Sequence, residues 1–310
     1  MAIVGSSATA LGLRSPRSRR TPPTGGPARP GARRSAGRRS ARLAAYALVL
    51  GVFTLPLWSM AATVFSASEP QLGKMLLWPQ GLSGSNIAQA WDNGIGRGML
   101  NSVVMEVFGL TLQLVVSSLA AYALARKKFR GSAVVMVVIM ATMMMPDEVI
   151  AVPLYLILGK IPNPAEGGTL LNSYAGLILP LVGWALPIYL LTGFMRRIPL
   201  ELEEAARVDG AGDLRIFLRI ILPLCKPALG TCAVFGFLMI WDQYLLPLLI
   251  IQSPTKDPLT VLVTQLSATA ELGDDVKLAA ALLLMIPSVL FYLALQRFFE
   301  RGLLSGSIKG

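Results

Sequence analysis

Apolar residues run along this chain in blocks about as long as a bilayer is thick. Five blocks, at 43–65, 99–125, 174–195, 227–251 and 278–299, each approach the ~20 apolar positions that a membrane helix needs. A sixth block, 132–150, is interrupted at its far end by Pro146, Asp147 and Glu148, with Pro153 just beyond. It is predicted to kink or stop there, because proline breaks the helical ladder. The runs are continuous rather than alternating, which argues for spanning helices and against a barrel. The expected fold is an all-α integral membrane domain of six transmembrane helices, residues 43–310, preceded by a tail at 1–42.

The segments between the blocks carry most of the pattern. Residues 66–98, with Pro70, Trp78, Pro79 and Trp91, are expected to form short interfacial or capping structure, and 252–276 a polar loop. Residues 198–227 spell two short helices. Pro199 suits a first helical position, and Glu201, Glu203 and Glu204 complement a positive helix start. Leu202, Ala205, Ala206 and Asp209 then share one face, and Gly210 supplies a left-handed end. Asp213 suits an N-cap. An apolar stripe of Leu214, Phe217, Leu218 and Ile221 follows, with Arg215 and Arg219 opposite. Pro223 ends the second helix, and Pro227 opens the next span. By amphipathicity alone this elbow fits a helix pair lying on the membrane surface as well as a lever docked to a partner.

Composition agrees with the membrane reading and charge orients it. The chain has 310 residues, 54% hydrophobic and 15% charged, where soluble domains carry about 25% charged residues. The net charge of +11 resembles a nucleic-acid signature only until it is mapped. Ten of the 28 Lys and Arg lie between Arg14 and Arg42, among Pro, Gly and Ser. That composition predicts a disordered tail, solvated or touching anionic lipid, and no nucleic-acid partner. Counted outside the spans, 23 of the 28 fall on one side with the N-terminus inside. Basic residues are retained in the cytoplasm, so both termini are expected there.

The candidate chemistry is sparse. There is no His, which removes the commonest general base and metal ligand. Cys225 and Cys232 read as small buried apolar residues. No nucleotide-binding GxxxxGK[ST] and no HExxH is present, so neither a cofactor nor a catalytic residue is expected. Polar residues in or near the spans (Glu106, Gln113, Asp147, Glu148, Asp242 and Gln243) should face the bundle interior or water. They fit either a polar solute path or helix-to-helix hydrogen bonding. Candidate path residues are Asn101, Trp184, Trp241, Asp242, Gln243 and Tyr244, with the aromatic rings able to stack on flat faces of a solute.

The string Glu204-Ala205-Ala206, Asp209-Gly210-Ala211, Phe217, Ile220, Leu222-Pro223 and Pro227 resembles the EAA loop of ABC importer permeases. From about Leu43 to Gly310 the chain is similar to the carbohydrate-importer branch, most closely to the six-span maltose-type subunit. The likeness is carried by Asn101-Ser102, Leu119 through Arg126, Met143-Met144-Met145-Pro146, Pro153-Leu154-Tyr155, Ile198-Pro199 and the ending Arg301-Gly302-Leu303 to Gly310. Two features depart: Trp241-Asp242-Gln243-Tyr244 stands where that branch more often has Trp-Asn-Asp-Phe, and the Arg-rich tail is extra.

The resemblance implies a type I permease fold in a bacterial plasma membrane, with the EAA loop as a cytoplasmic coupling helix. It implies that Glu204, Ala205, Ala206, Asp209, Gly210, Ala211, Phe217 and Pro223 couple to a homodimeric cytoplasmic ATPase. Further implied partners are a second, different permease and an extracytoplasmic sugar-binding protein reached by the 252–276 loop through Glu271, Asp274 and Asp275. Other solutes, such as glycerol phosphate, polyamine or phosphate, fit the same loop. An ion-coupled carrier would need paired broken helices or an inverted repeat, and neither is visible in the sequence.

Overall fold

The computed structural model describes residues 31–67 and 75–307. The tail before Gly31, the loop positions Pro70 and Lys74, and the last three residues, all of which carried expectations, lie outside the described residues.

Among the described residues the chain is helical, with only two isolated bridges, Ser66–Leu82 and Pro162–Thr169. The elements are α1 (Gly31–Val64), α2 (Ser85–Ala90), α3 (Gly96–Arg126), α4 (Ser132–Thr142), α5 (Asp147–Leu158), α6 (Tyr174–Val182) and α7 (Ala185–Met195). They continue with α8 (Glu201–Val208), α9 (Asp213–Leu224), α10 (Lys226–Trp241), α11 (Leu245–Ile250), α12 (Leu259–Ala268) and α13 (Asp274–Ser307). Four stretches are long and apolar enough to cross a membrane: Arg42–Val64, Ser85–Arg126, Tyr174–Met195 and Asp274–Gln296. Two bent pairs, α4 with α5 at 106° and α9 with α10 at 77°, bring the crossings to as many as six if each pair counts as one span.

Several boundaries differ from the sequence expectation. α1 begins at Gly31, so residues 31–42 are helix and not part of a disordered tail; no proline follows Pro30 until Pro56, and Ala and Arg are good helix formers. Through Thr54 that helix belongs to one compact unit, and Leu55 opens a second that contains the remaining spans. The sixth block is a true break: α4 stops at Thr142 and α5 restarts behind Pro146. The segment at 252–276 is not a polar loop. Its polar ends hide α12, whose Leu259, Val261, Leu262, Val263 and Leu266 are buried.

α3 is the axis of the second unit, packed against α6, α7, α10 and α12. Its inward residues are small or polar: Gly98, Ser102, Gly109, Gln113, Ser117 and Ala121 recur about every four positions. Val107, Phe108, Val115 and Leu119 on the same helix are exposed. This inversion is how a membrane helix packs, since lipid accepts the large apolar side chains and small residues let backbones approach. At the α3–α10 crossing, a Cβ on Gly236 would lie 2.4 Å from Gln113 Oε1 and 2.7 Å from Leu110 Cδ1, so any larger residue would displace the ends of those two side chains. Gln113 donates from Nε2 to the Leu181 carbonyl at 2.9 Å, just before α6 breaks at Gly183.

At one end of the bundle the loops are tied to α3. Asn101 Nδ2 donates to the carbonyls of Thr255 (3.0 Å) and Asp257 (2.9 Å), and Ser102 Oγ accepts from Leu259 N (2.8 Å). The opposite end carries the elbow.

Candidate functional site

The elbow starts two residues later than the proline rule suggested. Glu201, not Pro199, is the first helical residue; the N-cap is Leu200, whose carbonyl accepts from Glu203 N and Glu204 N. α8 ends as the sequence implied. Gly210 has φ of +80°, Ala211 N donates to Ala206 O at 2.9 Å, and Gly210 N donates to Arg207 O at 3.0 Å. These paired bonds satisfy the last carbonyls of the helix, as a Schellman end does. A β-branched residue at 210 would be strained even though nothing lies within 4 Å of the position.

Asp213 is not a side-chain cap. It is the first residue of α9, and its carboxylate joins Lys127 Nζ at 2.5 Å and Arg207 Nη2 at 3.6 Å. The Lys127 hydrogen bond, helped by the Lys127 and Arg207 charges, holds the Asp213 carboxyl below its usual range. A depressed carboxyl stabilises the folded state above its unfolded pKa, and the contribution fades as pH falls through the lowered value. Asp213 is therefore ionised, and able to pair with Lys127 and Arg207, throughout neutral pH.

α9 contains a π-turn at Phe217–Ile221, which inserts an extra residue and rotates the phase of the helix. The expected stripe is consequently split: Phe217 and Ile221 are buried, whereas Leu214 and Leu218 are exposed. Ile216 takes the inward place and, with Phe217 and Ile221, packs on Ala121, Tyr122, Leu191, Met195 and Ile198. The rings of Phe217 and Tyr122 lie 5.1 Å apart. Phe217 thus anchors the elbow to its own bundle. Pro223 is exposed.

The residue that sequence reasoning missed is Glu203. Read there as one of three acids near a helix start, it is 1% exposed. Its Oε1 lies 2.7 Å from Arg126 Nε, with the N–H directed off the carboxylate axis. Its Oε2 accepts from Tyr122 Oη at 3.4 Å and lies 3.6 Å from Arg207 Nη2. Arg126 also donates to the Ile198 carbonyl at 2.7 Å. The last turn of α3 is thereby bolted to α8. Its neighbour Glu204 points away, with Ala205, Asp209 and Gly210 also exposed and Ala206 and Ala211 half-buried. Apolar side chains crown the same tip, Val208 at 88% and Leu214 at 65% exposure. The tip is thus apolar and acidic, on a base tied to α3.

A second feature lies within the spans. The breaks after α4, after α6 and after α10 border one cavity of about 230 Å³, lined among others by Thr142, Asp147, Trp184, Met239 and Gln243. Broken helices free backbone groups that membranes tolerate only beside protein or water. Of the six candidate path residues, Trp184 and Gln243 line this cavity, while Asp242 and Tyr244 are exposed beside it in sequence. Asn101 and Trp241 serve structure instead. Asn101 is held by the loop carbonyls and by Tyr174 Oη at 2.7 Å; Trp241 is 2% exposed, gives its N–H to Leu284 O at 3.2 Å and stacks on Phe237. Of the loop acids, Glu271 and Asp274 are exposed, but Asp275 is buried and accepts from Val276 N at 2.9 Å. No cluster of metal-ligating side chains occurs among the described residues.

The helical architecture is that of a multi-span membrane subunit. Residues 113–305 match the family model of the binding-protein-dependent transport system inner membrane component, and the chain belongs to that family. It is 32% identical over 268 residues to the melibiose/raffinose/stachyose import permease protein MelC of Bacillus subtilis, spanning 85% of this chain and 94% of that one. It is 35% identical over 269 residues to the sn-glycerol-3-phosphate transport system permease protein UgpE of Escherichia coli, spanning 83% and 93%. Its fold matches a chain of a bacterial ABC transporter involved in the import of the acidic polysaccharide alginate, with a TM-score of 0.72, 23% identity and coverage of 90% and 100%. The fold is that of a type I ABC importer permease, a multi-pass membrane protein that is a transport subunit rather than an enzyme. Importers of this family pair such a subunit with an ATPase and a substrate-binding protein.

Proposed function

We propose that this chain is one of two different permeases in an ATP-driven sugar importer of the bacterial plasma membrane. Both termini lie in the cytoplasm, in keeping with the 23 of 28 basic residues on that side. The observation that carries the reading is the elbow: an exposed tip of Glu204, Ala205 and Val208 on a base bolted to α3 through Glu203 and Arg126. The tip docks in a homodimeric ATPase. When the two ATPases close on ATP, the elbow is carried with them, and the buried ion pair passes the movement to α3 and the spans packed on it.

The cavity where α4, α6 and α10 break serves as this subunit's part of the solute path. Its lining includes Asp147, Trp184 and Gln243 and no Lys or Arg. Such a lining suits a neutral hydroxylated solute, which takes hydrogen bonds and an aromatic face. A phosphate ester would meet a carboxylate there without a compensating cation. This favours sugar over glycerol phosphate, although UgpE is as similar to this chain as MelC is. Glu271, just before α13, and Asp274, its first residue, are exposed and are left to meet the sugar-binding protein.

The test is uptake by proteoliposomes holding both permeases, the ATPase and the binding protein. A panel of labelled mono- and disaccharides should enter only with ATP inside the ATPase compartment, and labelled glycerol 3-phosphate should not. Uptake driven by a proton or sodium gradient without ATP, or of the phosphate ester alone, would overturn this reading.

A further inference from the structure

Glu106 lies in the first half of α3, is 6% exposed, and has no hydrogen-bond partner at either carboxylate oxygen. It lines a groove of about 590 Å³ between α3, α10 and α13, whose other walls include Val103, Val107, Phe237, Trp241 and Leu290. Nothing in that groove serves it. The indole N–H of Trp241 is given to the Leu284 carbonyl, and no Lys or Arg lines the groove. A carboxyl group inside a bilayer without a donor is a costly state, so the chain as it stands is incomplete at this point.

We propose that this groove receives a transmembrane helix of the second permease, which presents a hydrogen-bond donor or cationic side chain to Glu106. It rests on the two-permease reading above. Charge complementarity selects the occupant. A lipid acyl chain matches the apolar walls but brings no donor to the carboxylate. A sugar needs several polar partners, and the groove offers Glu106 and Thr111 alone among valine, leucine, phenylalanine and tryptophan side chains. A helix from a neighbouring subunit supplies both an apolar face and one polar group. Val107 at 55% and Leu290 at 61% exposure flank the opening and are the side chains it would cover. In membranes, polar contacts of this kind between helices select partners and register.

The test uses the full importer. Both native cysteines, Cys225 and Cys232, are buried and free, so Val107→Cys can be cross-linked against single cysteines placed along each span of the second permease. Cross-links are expected on one helix face, at positions three and four apart. Glu106→Leu should lower the amount of second permease recovered with this chain in detergent at least tenfold, whereas Glu106→Gln, which keeps an acceptor oxygen, should retain it. Should Glu106→Leu fail to accumulate, the Val107→Cys pattern decides alone. Labelling of Val107→Cys by a lipid-soluble maleimide in the intact importer, with no cross-link, puts lipid in the groove and overturns the proposal. Labelling by a water-soluble reagent that sugar blocks puts solute there and overturns it equally. The subunit composition of the wild-type importer is read from the same gel. Two permeases without a cross-link refute the groove alone, whereas a single permease species refutes the two-permease reading itself.

Discussion

Replacing Glu203 with alanine is expected to abolish transport and to loosen the elbow within this chain, before any partner is considered. Glu203 and Arg126 have side chains 1% and 3% exposed. Removing one member of a buried pair leaves the other charge desolvated, which costs about 3–5 kcal/mol. At about 1.4 kcal/mol per tenfold, this shifts the balance between docked and detached elbow by about a hundred- to several-thousand-fold. Glu203→Ala and Arg126→Met should each lower the melting temperature of the purified chain and uncouple ATP hydrolysis from uptake. The double variant Glu203→Leu with Arg126→Met removes both charges and should recover stability in part. Recovery is partial because the Arg126 bond to the Ile198 carbonyl is also lost. A single variant that transports sugar at the wild-type rate would contradict the transmission route.

Glu204→Lys should fail in the opposite way: the chain folds normally, but the ATPase does not stay bound. The two glutamates are neighbours on α8, about 100° apart around the helix, so one enters the core and the other meets solvent. Glu204 makes no ion pair among the described residues, and its reversal disturbs nothing within the chain. Against a basic group on the ATPase, losing a desolvated charge contact costs about 2–5 kcal/mol, or tens- to thousands-fold in affinity. The check is the affinity of purified ATPase for the permease pair, with an unchanged melting temperature for the variant chain. Wild-type affinity would remove Glu204 from the docking surface. The pair of variants therefore separates a bolt from a plug on a single helical turn.

Much of this architecture was legible before any coordinates. Span positions followed from apolar run length, and Gly210 was legible as a left-handed helix end because only local chemistry decides it. Features that depend on a distant partner were not. Glu203 is indistinguishable in sequence from Glu201 and Glu204; its role appears only when Tyr122 and Arg126, some eighty residues earlier, are brought beside it. The stripe on α9 was misphased because a π-turn leaves no simple signature in a pattern read at 3.6 residues per turn. Trp241 and Asn101 were read as facing solute because aromatic and amide groups in a membrane suit that role, yet both are committed to backbone carbonyls of neighbouring segments. α12 was hidden by the prolines and acids at its borders. For the solute path, the sequence showed individual helix breakers, whereas the structure brings three breaks to one cavity.

The central claim, that the exposed tip of α8 is gripped by a separate ATPase, is tested most directly by a photo-reactive residue at Val208. That side chain is 88% exposed at the end of the helix and packs on nothing in the chain that its replacement would disturb. Illumination of the assembled importer should join this subunit covalently to the ATPase, with a yield that changes when ATP is bound. A cross-linker at Val208 that captures only lipid or water, in an importer that transports normally, would contradict the claim.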